Sequence, residues 1–238
     1  MNLLAIETAT EACSAALLTR DGRLLARAEL APRRHAELLL PMCEALLDEA
    51  GLGRRDLDAV AVGRGPGAFT GVRLGVAAAQ GIALALAIPV VPVSSLAALA
   101  LQTPATGAAA TLAVVDARMG EVYAGAFART HDGLVEPLGA ETVGCADALQ
   151  LPPAPTWNVI GSGWASDRAA LSARLPAPPV WADAERYPLA ADVARLAAPI
   201  ARAGRGVDPE RALPVYLRDK VALTLAEQRA SKRTADSQ

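Results

Sequence analysis

The N-terminal residues 1–30 consist of short apolar runs separated by turn-forming residues. The runs Leu3–Glu7, Ala12–Leu18 and Leu24–Leu30 have the length and composition of strands, and Asp21-Gly22 between the last two is a strong signal for a tight turn. We therefore predict that the chain opens with an antiparallel meander of strands.

A helical pattern follows over residues 34–50. Its apolar residues recur three and four positions apart, and Gly51 is placed to end the helix. These apolar positions are Leu38, Leu39, Met42, Leu46 and Leu47. Because Pro41 lacks a backbone donor inside this range, we expect a kink or a late start of the helix there.

The pattern over the next forty or so positions predicts a strand, a glycine-rich loop, a helix and a further strand. The first strand is predicted over residues 57–62 and the loop over residues 63–67. Thr70 is a plausible N-cap for a helix that runs to about residue 87, and Pro89 ends it. Such an alternation of strands and helices is typical of an α/β fold with partly parallel sheets.

A second lobe is predicted after the Pro-, Thr- and Gly-rich residues 102–107, where strand and helix patterns repeat more loosely. We predict an N-terminal lobe of residues 1–105, completed by residues 213–238, and a C-terminal lobe of residues 106–212. Two similar lobes would fit an actin-like architecture.

Composition narrows the classes of function. The formal net charge is −2, so the chain has no global basic field of the kind that a protein holding tRNA by itself usually shows. The N-terminus has no basic segment typical of a signal peptide, and we expect a cytoplasmic protein. An uncharged stretch separates Arg73 from Asp116, but Pro89 and Pro92 interrupt it, and we predict no membrane span.

A row of small residues marks the helix after the glycine-rich loop. Gly71, Gly75, Ala79, Ala83 and Ala87 fall at every fourth position and form one ridge, which we call the small-residue ridge. Glycine inside a helix costs about 1 kcal/mol relative to alanine, so another backbone is expected close by. That backbone belongs either to the same domain or to another subunit.

Five segments together resemble the TsaB (YeaZ) family. They are residues 1–18, 33–47, 63–86, 116–125 and 214–218. The Phe-Thr-Gly-x-Arg motif at residues 69–73 distinguishes this family from its catalytic paralogue, TsaD. The signature loop comprises Gly65, Gly67, Phe69, Thr70, Gly71 and Arg73. The resemblance implies an actin-like (ASKHA, ribonuclease H-like) two-lobe α/β fold with mixed sheets.

The resemblance also implies a role without chemistry of its own. A TsaB-like chain is expected to be a scaffold and activator subunit that binds TsaD, helps to recruit the ATPase TsaE, forms homodimers and meets tRNA only indirectly. Partner contacts are expected from two helices. On the first helix we select Leu38, Leu39, Met42 and Leu46, and on the second Val72, Gly75, Ala79 and Ile82.

The residues for a metal site are missing from the expected place. TsaD carries two histidines four residues apart after the corresponding strand, where this chain has Ser95 and Leu99. Histidines at that spacing on one helix face can hold a metal ion, whereas serine is a poor ligand and leucine is none. We therefore predict no metal, no cofactor and no catalytic residue.

Two other classes of function stay open as alternatives. A nucleotide-binding module could use the glycine-rich loop and the first hairpin loop, residues 7–10, although no P-loop lysine is present. A glycoprotease-like hydrolase is disfavoured by the missing histidines, and the Gly161-Ser162-Gly163 segment lacks the spacing of a nucleophile elbow.

Two smaller features are expected to be structural. Asp116 and Glu121 flank a turn that we expect to be held by a charge contact from Arg118 to one of them. The cysteines at 13, 43 and 145 are odd in number and far apart, and we expect three inert thiols.

Overall fold

A computed structural model describes residues 1–105 and 109–218 of the chain. These residues form two β-sheets with α-helices around them. The elements, in chain order, are β1 (Leu3–Glu7), β2 (Ala12–Leu18), β3 (Leu24–Leu30), α1 (His35–Ala50), β4 (Ala59–Gly63), α2 (Phe69–Leu86), β5 (Val90–Val93), α3 (Ser95–Ala100), β6 (Ala110–Arg118), β7 (Glu121–Arg129), β8 (Val135–Pro137), β9 (Thr142–Cys145), β10 (Trp157–Ile160), α4 (Gly163–Ser166), α5 (Arg168–Arg174), β11 (Trp181–Asp183) and α6 (Ala190–Arg202).

The first sheet is mixed and has the strand order β3-β2-β1-β4-β5. The meander β1–β3 is antiparallel, and β1 pairs in parallel with β4, which pairs in parallel with β5. In the centre of the sheet, Leu4 lies opposite Leu17 on one side and Val60 on the other. The predicted opening meander is confirmed, with the three strand ranges as expected from the apolar runs.

Helices cover both faces of this sheet. Helices α1 and α2 enclose an apolar core over one face, in which Leu39, Leu46 and Val76 pack against Leu17 and Val62. Helix α6 covers the opposite face. Although α6 falls within the range 106–212 that we assigned to the C-terminal lobe, it packs on the first sheet; the division into lobes stays a prediction.

Helix α1 has the predicted range to within one residue, whereas helix α2 starts earlier than expected. Helix α1 begins at His35, so Pro41 does not delay its start, and Gly51 ends it in the left-handed conformation as predicted. Thr70 is not an N-cap: α2 begins at Phe69, after Ala68. The Ala68 N–H donates to the Ala9 carbonyl at 2.7 Å, and this contact with the first hairpin fixes where the helix starts.

The second sheet has the order β11-β10-β6-β7-β8, and β9 pairs with β7. Helices α4 and α5 cover one face, and α3 covers the other. Helix α3 lies between the sheets: its Leu96 and Leu99 pack on the second sheet, and its Ala98 packs against the first. The predicted α/β fold with mixed sheets is confirmed.

Candidate functional site

The small-residue ridge of α2 packs against the first hairpin loop. A Cβ atom added to Gly71 would lie 2.1 Å from the Thr8 carbonyl oxygen, and one added to Gly67, just before the helix, 2.2 Å from that of Ala9. The Thr8 hydroxyl donates to the Gly71 carbonyl at 2.8 Å and would lie 2.5 Å from a Cβ on Gly75. The close backbone that these glycines require is therefore this chain's own.

Six of the eight side chains or positions predicted to contact a partner are buried in the chain's own core. These six are Leu39, Met42, Leu46, Val72, Gly75 and Ala79. Only Leu38 and Ile82 are partly exposed. Partner contact by these residues stays a prediction, but the orientation that we assumed for the two helices needs correction, because the faces chosen from periodicity point inward.

The exposed side of α2 is apolar, and α1 adds the exposed Leu40 but also the exposed Glu37, Asp48 and Glu49. Leu40 on α1 is 53% exposed and Leu84 on α2 is 69% exposed. Ala77, Gly81 and Ala85 lie on the same exposed side of α2. The exposed residues of α2 after Arg73 therefore carry no charge, which is unusual for the solvent face of a helix.

A groove of about 530 Å³ runs between the two helices on this side. Its lining includes Leu40, Pro41, Cys43, Gly81, Ile82 and Ala85. At its rim, Arg54 donates two hydrogen bonds to Glu44, each at 2.9 Å. The sequence analysis did not select Leu40, Gly81 or Leu84 as partner contacts. A second row of small residues at positions 77, 81 and 85, parallel to the small-residue ridge, is the signal that could have identified this face.

The signature loop divides into an inward and an outward part. Gly65 has a φ of 88° and lies under Val72, and Gly67 and Gly71 contact the hairpin loop. Phe69 and Arg73 point outward, where the Arg73 guanidinium lies 3.6 Å from the centre of the Phe69 ring. The exposed Thr70 is the second residue of α2.

Ser95 and Leu99, which stand where TsaD has its histidines, both have structural partners. The Ser95 hydroxyl donates to Glu7 Oε2 at 2.7 Å, and the Ala9 N–H donates to Glu7 Oε1 at 2.7 Å. Burial raises the pKa of the Glu7 carboxyl, and the hydrogen bonds from Ser95 and Ala9 oppose that rise. Leu99 is fully buried against the second sheet.

In residues 1–105 and 109–218, no group of three or more His, Cys, Asp and Glu side chains is arranged to hold a metal ion.

A small cavity of about 240 Å³ lies between the lobes, beside the first hairpin loop and the turn after β6. Ligand pockets usually enclose about 300–1,000 Å³, so the cavity is small for a nucleotide. Arg118 contacts Asp116 at 2.9 Å and Glu11 at 2.7 Å, which confirms the expected turn held by Arg118 and Asp116. Ser162, the residue considered for a hydrolase, accepts a hydrogen bond from the Asp116 N–H at 3.1 Å.

Comparison with known proteins defines the class first. The sequence model of the family described as "TsaD: tRNA N6-adenosine threonylcarbamoyltransferase" matches residues 27–233 of the chain. The chain is thus related to the TsaD family over most of its length, although it lacks the two histidines that TsaD carries.

Individual relatives are more specific. The chain is 40% identical over 233 residues to the tRNA threonylcarbamoyladenosine biosynthesis protein TsaB of Escherichia coli, which covers 93% of this chain and 96% of that protein. A solved structure of YeaZ from Pseudomonas aeruginosa superposes with a TM-score of 0.83 at 45% identity, covering 91% of this chain and 99% of that one. The chain belongs to the TsaB (YeaZ) family, and it has the actin-like two-lobe fold that the resemblance implied.

Proposed function

We propose that this chain takes part in tRNA threonylcarbamoyladenosine biosynthesis as a non-catalytic subunit, and that it binds the catalytic TsaD protein through the outer face of α1 and α2. The names of the TsaB relatives support the assignment to this pathway. The observation that carries the mode of action is the exposed apolar groove between the two helices. Large apolar surfaces bounded by polar residues mark sites of protein association.

The shape of this surface suits another pair of helices. The small residues Ala77, Gly81 and Ala85 allow a second backbone to approach closely, and Leu40 of α1 and Leu84 of α2 add large exposed apolar side chains. A partner that inserts apolar side chains into the groove would remove these two leucines from water, which favours association through the hydrophobic effect.

A role without chemistry is supported by the two residues that stand where TsaD has its histidines. Ser95 and Leu99 replace the histidines of TsaD, and Ser95 is engaged by Glu7. In our proposal the chain therefore acts by binding one conformation of TsaD better than another, because a partner shifts an equilibrium only by its difference in affinity for the two states.

The same surface would pair two copies of this chain when TsaD is absent. We propose that the homodimer and the TsaD complex compete for the groove. The TsaD complex then recruits the ATPase TsaE, and tRNA binds to the assembly rather than to this chain alone. We place this assembly in the cytoplasm. A self-complementary face is the usual basis of a twofold dimer.

The test is a titration of the purified chain with a TsaD protein, followed by calorimetry and by size-exclusion chromatography with light scattering. We expect a complex, and we expect Leu84→Arg to weaken it by about 100-fold or more, because a charge without a partner would be buried in the interface. The substitution leaves the fold intact, since Leu84 is mostly exposed in the single chain.

Val180→Arg is the matched control, because Val180 is also an exposed apolar residue, at 55%, but lies beside the second sheet. We expect it to bind TsaD as the unsubstituted chain does. Normal binding by Leu84→Arg would show that the surface is misplaced, and a chain that ignores TsaD altogether would refute the proposed role.

A further inference from the structure

Three sequence motifs that the proposed TsaD-binding face does not use meet at one edge of the cleft between the lobes. They lie at residues 69–73, 116–121 and 214–218, and each contributes to the wall of the interlobe cavity. The last of them belongs to residues 213–218, a segment outside the helices and strands that we call the strap.

The strap is held on the first lobe by side-chain and backbone contacts. The Arg73 guanidinium stacks on Phe69 and faces the ring of Tyr216 at 5.3 Å, and Arg73 Nε donates to the Tyr216 hydroxyl at 2.6 Å. The Val215 N–H donates to the Arg64 carbonyl at 2.9 Å. The cation–π stack and the two hydrogen bonds together attach this short segment to the first lobe.

The end of the strap reaches the second lobe. Arg218 donates to the Ala117 carbonyl at 3.2 Å and forms an ion pair with Glu121. The side chains of Arg218 and Glu121 are only 21% and 33% exposed, so solvent and salt screen this pair less than a surface pair. The neighbouring contact between the lobes, from Arg118 to Glu11, is made by an arginine that is 72% exposed, and such pairs contribute little.

We propose that the strap holds the two lobes at one fixed opening, with Arg73 fastening it to the first lobe and Arg218 fastening it to the second. Its detachment from Glu121 loosens this edge of the cleft and widens the cavity there, while α3 still packs against both sheets and Arg64 still pairs with Glu141 at 3.7 Å. The inference is independent of TsaD binding, because its residues lie outside the groove between α1 and α2.

The experiment measures the opening directly in the full chain. Because Cys145 pairs directly with Glu121 across β7 and β9, it is first replaced by Cys145→Ser; spin labels on two introduced cysteines, Ser172→Cys on α5 and Ala28→Cys on β3, both exposed, then report the distance between the lobes by pulsed EPR. Dilution with unlabelled protein removes distances between copies. We expect Arg218→Met, and separately Glu121→Gln, to shift the distribution to longer and broader distances.

Hydrogen exchange distinguishes the two attachments. Arg73→Met should speed exchange of the Val215 amide roughly tenfold, as expected when a contact worth about one hydrogen bond is lost. The control is Arg211→Met, because Arg211 lies just before the strap and pairs with Asp208 at 3.8 Å. We expect it to leave both the distances and the exchange unchanged.

Far-ultraviolet circular dichroism shows whether each variant is folded. If Arg218→Met does not fold, Glu121→Gln provides the test instead, because it removes one charge at a partly exposed position. The proposal is overturned if a folded Glu121→Gln or Arg218→Met protein keeps the distance distribution of the unsubstituted chain. Distances that change equally in Arg211→Met would also overturn it, because the effect would then not depend on the second lobe.

Discussion

Helix α2 presents two rows of small residues, one on each side, and they serve different purposes. The inner row, Gly71, Gly75, Ala79 and Ala83, is buried, and its glycines lie against the backbone and hydroxyl of the first hairpin loop. The outer row, Ala77, Gly81 and Ala85, faces solvent. The difference shows that a small-residue pattern reports a close neighbour but does not say whether that neighbour is the same chain or another.

Glycine geometry makes the distinction measurable. A Cβ atom on Gly71 would meet a carbonyl oxygen of the hairpin, whereas one on Gly81 would meet nothing within 4 Å. The inner row is therefore fixed by the fold of the single chain. The outer row is free of such a constraint in the single chain, and any need for small residues there would come from a partner.

The largest expected effect is that of Gly71→Ala. The added methyl group would lie 2.1 Å from the Thr8 carbonyl oxygen, so the hairpin loop or the helix must move. We expect the free energy of unfolding to fall by about 1–3 kcal/mol, the usual range for overpacking, even though alanine favours the helix. Thermal and urea unfolding followed by circular dichroism measure the change.

Gly81→Ala is the matched control, because it makes the same substitution in the same helix. With open space around the new methyl group, the gain in helix propensity should stabilise the chain by up to about 1 kcal/mol. Equal destabilisation by the two substitutions would contradict the distinction between the inner and outer rows.

The sequence was sufficient for most elements of the first lobe but not for the orientation of its helices. Apolar runs predicted β1, β2 and β3 because each is bounded by turn-forming residues. The apolar residues of α2 continue around the helix, so periodicity could not separate its core face from its exposed face. Contacts between residues distant in sequence, such as Arg73 with Tyr216 or Ser95 with Glu7, left no periodic signal.

Glu7 offers a second test of the inner side, because it holds the hairpin loop that receives the glycines. Burial raises the pKa of this carboxyl above its ordinary value of 4.5. The folded chain therefore keeps a proton that the unfolded chain releases, and stability should fall as the pH rises from about 4.5 to the raised pKa. Glu7→Gln cannot ionise and should flatten this fall, as measured by urea unfolding between about pH 4.5 and 7.5.

A residual slope is expected in Glu7→Gln. Burial also raises the pKa of Asp192, with Arg195 opposing the rise, and this group contributes a pH dependence of the same sign. The informative quantity is the difference in slope between the two proteins. If that difference were zero, the Glu7 carboxyl would not be the buried acid that the contacts with Ser95 and Ala9 imply.

The smallest effect concerns the floor of the outer groove, where Cys43 lies. Burial raises the pKa of Cys43 to about 12 and that of Cys13 to about 11, whereas Cys145 is exposed. Because the thiolate is the reactive form, we expect a thiol reagent at about pH 8 to modify Cys145 at least about 100-fold faster than the other two. Mass spectrometry of partly modified protein identifies the sites. Fast modification of Cys43 would mean that α1 and α2 separate in the free chain, and the groove would then be a transient opening rather than a standing surface for a partner.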